Sequence, residues 1–182
     1  RLLGPLTAAY GAFPHVTIVE GDILRVDLPR LLKGHGAGQW KVAANLPYNI
    51  SSQVLFLFLD NRKLFSRLVL MLQKEVGDRL VARPGTKEYG ILSVFCALHF
   101  DVVRECVVKP GSFRPIPKVD SVVLRFTPLA APRCDVGDEP LFRRLVKAAF
   151  GQRRKTLWNC LKGADLVPDD EALRAVLASC GI

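Results

Sequence analysis

Long apolar runs are missing from this sequence. The longest, residues 54–59 and 91–98, fall well short of the ~20 residues that a membrane-spanning helix needs. No basic-then-apolar leader with a small-residue cleavage site opens the chain, as a secretory signal would. Cysteine is sparse and awkwardly placed: Cys96, Cys106, Cys134, Cys160 and Cys180 are odd in number and form no C-x-x-C pair. That spacing speaks against a disulfide framework or a zinc site and for a reducing compartment. A metal-free, soluble, cytoplasmic protein is the expectation. A glycine-rich G-x-G-x-x-G loop is absent as well. Disorder is excluded by composition, because 49% of the 182 residues are hydrophobic and 24% charged, a globular balance. The length suits one domain, with room for a small appendage.

What is present begins with charge. The net charge is +9, which alone is a weak pointer to nucleic acid. Its distribution says more. From residue 141 to residue 163 there are seven basic residues (Arg143, Arg144, Lys147, Arg153, Arg154, Lys155 and Lys162) and no acidic one. The next stretch carries Asp165, Asp169, Asp170 and Glu171 against Arg174 alone. A charge run is ordinarily a solvated helix face, but the lack of any acid in this one favours a phosphate-binding segment.

Periodicity places the elements. Leu2, Leu3, Leu6 and Ala9 have helical spacing, with Gly11 as a stop. Residues 16–19, 41–45 and 68–72 are short β-rich runs, the first leading into a Glu20-Gly21-Asp22 turn. Helices are expected over 53–59 with Ser51 as N-cap, over 75–82, and over 89–99. Residues 102–108 and 119–126 read as an antiparallel pair joined by a proline-rich loop. Strands alternating with helices and ending in an antiparallel close predict an α/β sheet with parallel strands. Residues 127–140 hold three prolines and form the candidate linker. Beyond it, 141–150, 154–161 and 170–179 are helical, the last capped by Asp169 or Asp170. The expected division is a sheet domain over 1–128 and a small helical domain over 129–182.

Four residues carry the most specific chemistry. Asn45-Leu46-Pro47-Tyr48 falls where a buried strand meets its loop, the place where open α/β sheets bind ligands. An adenine amino nitrogen is a poor nucleophile, because its lone pair is delocalised into the ring. Acceptors on both of its N–H groups, the Asn45 side-chain carbonyl and the Leu46 main-chain carbonyl, favour the pyramidal form and stabilise the developing positive charge. Pro47 removes a competing donor and stiffens the turn, and Tyr48 offers a π-face to an extruded base. Taken alone, the tetrapeptide fits an ordinary Asn-x-Pro turn with a rim aromatic equally well. Phe113 sits in a loop held extended by Pro115 and Pro117. There it is placed to close the other face of the base, with Arg114 and Lys118 set toward phosphates. Asp22 is placed to accept from the amino group of a cofactor adenine, with Ile23 against the ring. A simple Gly-Asp turn accounts for the same letters. His15, His35 and His99 have no metal-ligand spacing.

Several of these stretches recur together in one known family. Residues 45–52 (Asn-Leu-Pro-Tyr-Asn-Ile-Ser-Ser), Gln73-Lys74-Glu75-Val76, Tyr89-Gly90, the 113–121 loop (Phe-Arg-Pro-Ile-Pro-Lys-Val-Asp-Ser) and residues 150–159 resemble the KsgA family in order and spacing. These are bacterial small-subunit (16S) ribosomal RNA adenine N6,N6-dimethyltransferases. The resemblance spans essentially the whole chain. It implies a Rossmann-like class I methyltransferase sheet with a C-terminal helical domain. The implied reaction moves two methyl groups from S-adenosylmethionine to each of two adjacent adenines near the 3′ end of the rRNA. Asn45, Leu46, Pro47, Tyr48 and Phe113 would then form the target-base pocket. Asp22, Ile23 and Asn45 would contact the cofactor. The basic C-terminal segment, with Arg143, Arg144, Lys147, Arg153, Arg154 and Lys155, would grip rRNA in the assembling small subunit, the protein acting as a monomer. The same resemblance puts the glycine-rich cofactor loop and the ribose-binding acid ahead of Arg1. The chain is therefore expected to be N-terminally truncated, with a half-built cofactor site and no activity alone. Two other readings share these motifs: a large-subunit rRNA adenine methyltransferase conferring antibiotic resistance, and a non-catalytic RNA-binding ribosome-assembly factor.

Overall fold

The computed structural model describes residues 2–36, 38–152 and 154–182. Two apolar strands organise it. β2 (Phe65–Gln73) and β4 (Ser121–Pro128) lie antiparallel, with Leu70 opposite Leu124 and Leu72 opposite Val122. Leu68, Leu70, Leu72, Val122, Leu124 and Phe126 are each no more than 2% exposed. Removing side chains of this size from water stabilises the fold by about 1.5–3 kcal/mol each. β1 (Trp40–Asn45) pairs parallel with β2, and β3 (Phe100–Val108) pairs antiparallel with β4, so the sheet order is β1-β2-β4-β3. The expected parallel pair and antiparallel close are both present.

Helices α1 (Leu3–Tyr10), α2 (Leu28–Lys33), α3 (Ser51–Asp60), α4 (Lys74–Leu80) and α5 (Ile91–His99) connect or precede these strands. Asp27 caps α2 by accepting from the Arg30 N–H at 3.0 Å. Val54, Leu55, Phe58 and Leu59 of α3 and Phe95 of α5 join the sheet residues in the main core. α4 approaches β4 through Gly77, where a Cβ would collide with the Val122 Cγ1 methyl. That glycine is a packing requirement.

Some local expectations fail. Residues 16–19 form no strand: Val19 is exposed and the run has no ladder partner among the described residues, and a β-branched sequence without a neighbour cannot satisfy its backbone as a strand. Ser51 is not the cap of α3. It stands in the first turn, buried, and donates its hydroxyl to the Tyr48 carbonyl at 3.1 Å, while Ile50 holds the cap position. α5 begins at Ile91 rather than 89, because Gly90 is extended and its N–H bonds to the Ser93 hydroxyl at 3.0 Å.

After β4 come α6 (Glu139–Ala149), α7 (Leu157–Lys162) and α8 (Asp170–Ser179). The expected helix over 154–161 starts later, since Thr156 caps α7 by accepting from the Asn159 N–H. Arg154 and Lys155 therefore lie in the preceding loop. Arg153 lies outside the described residues. Of the two aspartates, Asp169 caps α8, accepting from the Ala172 N–H at 2.8 Å. Cys160, Leu161 and Leu173 are buried in the α7–α8 region, apart from the main core. α6, by contrast, adds Val146 and Phe142 to the main core, the Phe142 ring meeting Phe95 edge-on at 5.9 Å. Among the described residues no helix is long and apolar enough to cross a membrane.

The first turn of α6 is held by charge. Arg143 pairs with Asp60 at 2.6 Å and with Glu139 at 3.1 Å, and Glu139 also lies 3.5 Å from Arg62. His99, 3% exposed, is 3.7 Å from Glu139. Burial, reinforced by the Arg62 and Arg143 guanidinium groups, pushes the His99 pKa below its usual 6.5 against the opposing pull of Glu139. The folded state thus binds fewer protons than the unfolded chain just below that value, and stability rises with pH there. Tm is expected to fall between pH 7.5 and 5.5, and His99→Gln should flatten that fall in thermal unfolding. Glu139 contributes in a separate, more acidic window. Its pKa is raised by burial but lowered further by Arg143 and Arg62, so its stabilisation fades only below pH 4.5.

Candidate active site

Asn45 is the last residue of β1, exposed at the carboxyl end of the parallel pair and in register with Met71. The next residue reverses its environment. Leu46 is 5% exposed and donates its N–H to the Met71 carbonyl at 3.1 Å, which anchors the chain as it leaves the sheet. A turn follows, closed by the Ile50 N–H on the Pro47 carbonyl at 3.2 Å. Tyr48 is half-buried, and its hydroxyl meets the Ser121 hydroxyl at 2.7 Å. Ser121 is fully buried at the start of β4. One hydrogen bond therefore fixes the β1 loop to the strand on the far side of β2.

The other wall comes from the segment before β4. A 3-10 turn, Pro110–Ser112, delivers Phe113 half-buried, followed by a cis Arg114–Pro115 bond. Asn45, Leu46, Pro47, Tyr48, Phe113 and Arg114 line one open cavity of about 310 Å³, together with Pro115 and Pro117. Residues separated by 65 or more positions in sequence meet there. The lining holds one carboxamide, one guanidinium and two aromatic rings, and no carboxylate or imidazole. Such a site can orient a planar base and accept from an amino group, but it holds no strong base of its own.

Other predicted residues stand apart from this cavity. Lys118 is exposed and outside its lining. Asp22 and Ile23 lie in a turn ahead of α2. Asp22 Oδ1 accepts from the Leu24 N–H at 3.0 Å, its other oxygen is 3.6 Å from the Arg25 guanidinium, and Ile23 packs on the main core. Arg143 faces inward, occupied by Asp60 and Glu139. Arg144 is exposed and donates to the Asp165 carbonyl at 3.0 Å. Lys147, Arg154 and Lys155 are exposed and share no ion pair among the described residues. No group of three potential metal ligands occurs among the described residues. Burial pushes the Cys96 thiol up to about 12, which rules it out as a nucleophile.

Ser121 was missed by sequence reasoning. The letter was visible at the end of the proline-rich loop, but nothing local tied it to Tyr48. The Lys74–Asp78–Arg104 cluster was missed for the same reason. Lys74 lies 2.6 Å from Asp78 on α4, and Arg104 reaches the same carboxylate from β3.

The family described as ribosomal RNA adenine dimethylase matches residues 1–173. The chain belongs to that family. Among curated relatives, "Ribosomal RNA small subunit methyltransferase A" of Geobacter metallireducens is 67% identical over the entire chain, which spans 66% of that protein. The protein of the same name from Geobacter sulfurreducens is 65% identical, with the same coverage. This member of the family thus spans just under two-thirds of the length of those relatives. In structure it resembles a dimethyladenosine transferase from Plasmodium falciparum, with a TM-score of 0.68 and 30% identity over 87% of this chain and 54% of that one. The 23S rRNA methyltransferase ErmE is similar in fold alone, at a TM-score of 0.63 and 20% identity over 88% of this chain and 62% of ErmE. The Rossmann-like methyltransferase fold is the common ground.

Proposed function

We propose that the protein carrying this chain methylates the amino nitrogen of adenines in small-subunit rRNA, with S-adenosylmethionine as donor, during ribosome assembly. The observation that carries this reading is the convergence of Asn45, Leu46, Pro47, Tyr48 and Phe113 on one cavity at the carboxyl end of β1. The cofactor, when bound, supplies an electrophilic methyl group. Everything else rests on the chain. The Asn45 carboxamide oxygen and the Leu46 carbonyl accept the two N–H bonds of the adenine amino group, which frees its lone pair and offsets the positive charge that develops. Tyr48 and Phe113 sandwich the ring. Tyr48 keeps its plane because its hydroxyl is tethered to Ser121. With no carboxylate or imidazole in the lining, the proton leaves to water after the nitrogen is alkylated, when it is strongly acidic.

The donor set ahead of α2 fits the cofactor in part. The Asp22 carboxylate is exposed, with an oxygen able to accept from an adenine amino group, and Ile23 supplies apolar surface beside it. Asn45 is the third proposed contact of this partial site. Within residues 129–182, the proposed rRNA contacts are Arg144, Lys147, Arg153, Arg154 and Lys155, joined by Arg114 and Lys118 near the base pocket. Arg143 drops out of that set because its charge is taken up inside the fold. A cytoplasmic monomer suits this role.

The basic contacts are tested by salt dependence. Neutralising Arg154 and Lys155 together should weaken binding to a small-subunit rRNA fragment and reduce the slope of log K against log[salt] by about 0.7–0.9 per lost phosphate contact. Unchanged affinity and slope would remove them from the interface. Methylation of the same fragment, followed by mass, tests the reaction itself. Tight binding without methylation by a chain extended to its relatives' length would favour an assembly factor instead.

A further inference from the structure

A second cavity, of about 380 Å³, opens at the other end of the sheet. β1 and β2 begin there and β4 ends there. The length of β2, at about 3.3 Å per residue, separates it from the adenine cavity. Its polar lining is cationic or neutral: Gln39, Arg62, Lys63, Ser66 and His99, with Pro128 and Pro132 among the apolar lining and no carboxylate.

His99 is the unusual member. It is 3% exposed, and among the described residues neither ring nitrogen takes part in a hydrogen bond, the nearest carboxylate oxygen lying 3.7 Å away. Yet among the described residues no enclosed side-chain nitrogen or oxygen is left unpaired. The imidazole therefore opens on the cavity it lines. Arg62 has donors to spare. One nitrogen donates to the Leu59 carbonyl at 3.2 Å and another lies 3.5 Å from Glu139, leaving other N–H groups of its fork free. Lys63 shares no ion pair among the described residues, and its carbonyl is clipped by the Gln39 side-chain N–H at 3.3 Å. Among the described residues the Ser66 hydroxyl is held only by a 3.4 Å bond to the Trp40 carbonyl, so it can turn toward a ligand. The neighbouring acids, Asp60 and Glu139, are already paired with Arg143.

We propose that this cavity binds the phosphate of a ribonucleotide. Arg62, Lys63 and His99 hold the anion, and the sugar and base lie along Pro128 and Pro132. A guanidinium fork beside a mobile ammonium is the usual pairing for phosphate oxygens. The volume lies within the range of small-ligand sites. The phosphate has two possible sources, a free nucleotide or the backbone of an RNA strand, and these share the same chemistry.

The test is an NMR titration of the chain that follows the imidazole C–H signals of its three histidines. Adenosine 5′-monophosphate and a short single-stranded RNA are the two probes. His15 and His35 serve as internal controls, since they line a different cavity. At least one probe should shift His99 saturably while His15 and His35 stay in place. Lys63→Ala should weaken that binding by about tenfold. Asn45→Ala, at the other cavity, should leave it unchanged, which separates this site from the methylation reading. A response to the mononucleotide assigns the site to free nucleotide; a response to RNA alone assigns it to the backbone. No response to either probe, equal shifts at all three histidines, or full affinity after Lys63→Ala would each overturn the proposal.

Discussion

Replacing Asn45 with alanine is expected to lower methyl transfer by about 10²–10³-fold, the usual effect of deleting one preorganised transition-state partner. The measurement is the single-turnover rate on small-subunit rRNA, in a chain extended to the length of its relatives. RNA affinity should be untouched. Asn45 is exposed at a strand end and takes part in no side-chain hydrogen bond among the described residues, so the fold does not depend on its carboxamide. The loss should fall on the chemical step rather than on binding, because the acceptor matters most when the amino nitrogen pyramidalises. Wild-type rates in this variant would sink the pocket assignment. Tyr48→Phe is the informative companion. It keeps the ring but loses the tether to Ser121, and should therefore cost less than Asn45→Ala.

Gly77→Ala is expected to destabilise the protein, against the direction that helix propensity predicts. Alanine in a helix interior is favoured over glycine by about 1 kcal/mol. At this position the added methyl would run into Val122 Cγ1. Val122 is fully buried between its strand neighbours, and its β-branched side chain is restricted at χ1, so the clashing methyl cannot swing aside without disturbing that packing. Overpacking of this kind costs about 1–3 kcal/mol, which outweighs the propensity gain. For a chain of this size each kcal/mol moves Tm by about 2–4 °C. A higher Tm for Gly77→Ala would show that α4 can lift from β4 without loss. Gly85→Ala at a left-handed turn (φ +84°) is strained for another reason, since no atom lies near its added carbon.

The two variants divide along what was visible before the structure. Asn45 was legible because Asn-Leu-Pro-Tyr is contiguous, and because strand, loop and motif coincide within a few residues. Gly77 was not, since the atom that forbids a side chain belongs to a strand more than 40 residues later. Ser51 shows a milder version. Its letter is right for an N-cap, but the turn closed by Pro47 and Ile50 places it one position inside the helix. Residues 16–19 have the composition of a strand and none of its hydrogen bonds, because strand formation depends on a neighbour that composition cannot supply.

The sequence by itself determined the alternation of strands and helices, the antiparallel close, the tetrapeptide, the basic segment and the family. All are carried by local periodicity or contiguous letters, which need no knowledge of distant contacts. Only the tertiary structure decided that Tyr48 is tethered to Ser121 and that Phe113 and Arg114 close the cavity opened by Asn45. It also turned Arg143 inward to hold α6 against α3, and set His99 beside Arg62 in a second cavity. Each of these joins side chains distant along the chain or on separate elements, or depends on which face of a helix is covered. Such pairings arise when the apolar faces of the sheet and helices are buried together, a constraint that acts on the whole molecule at once.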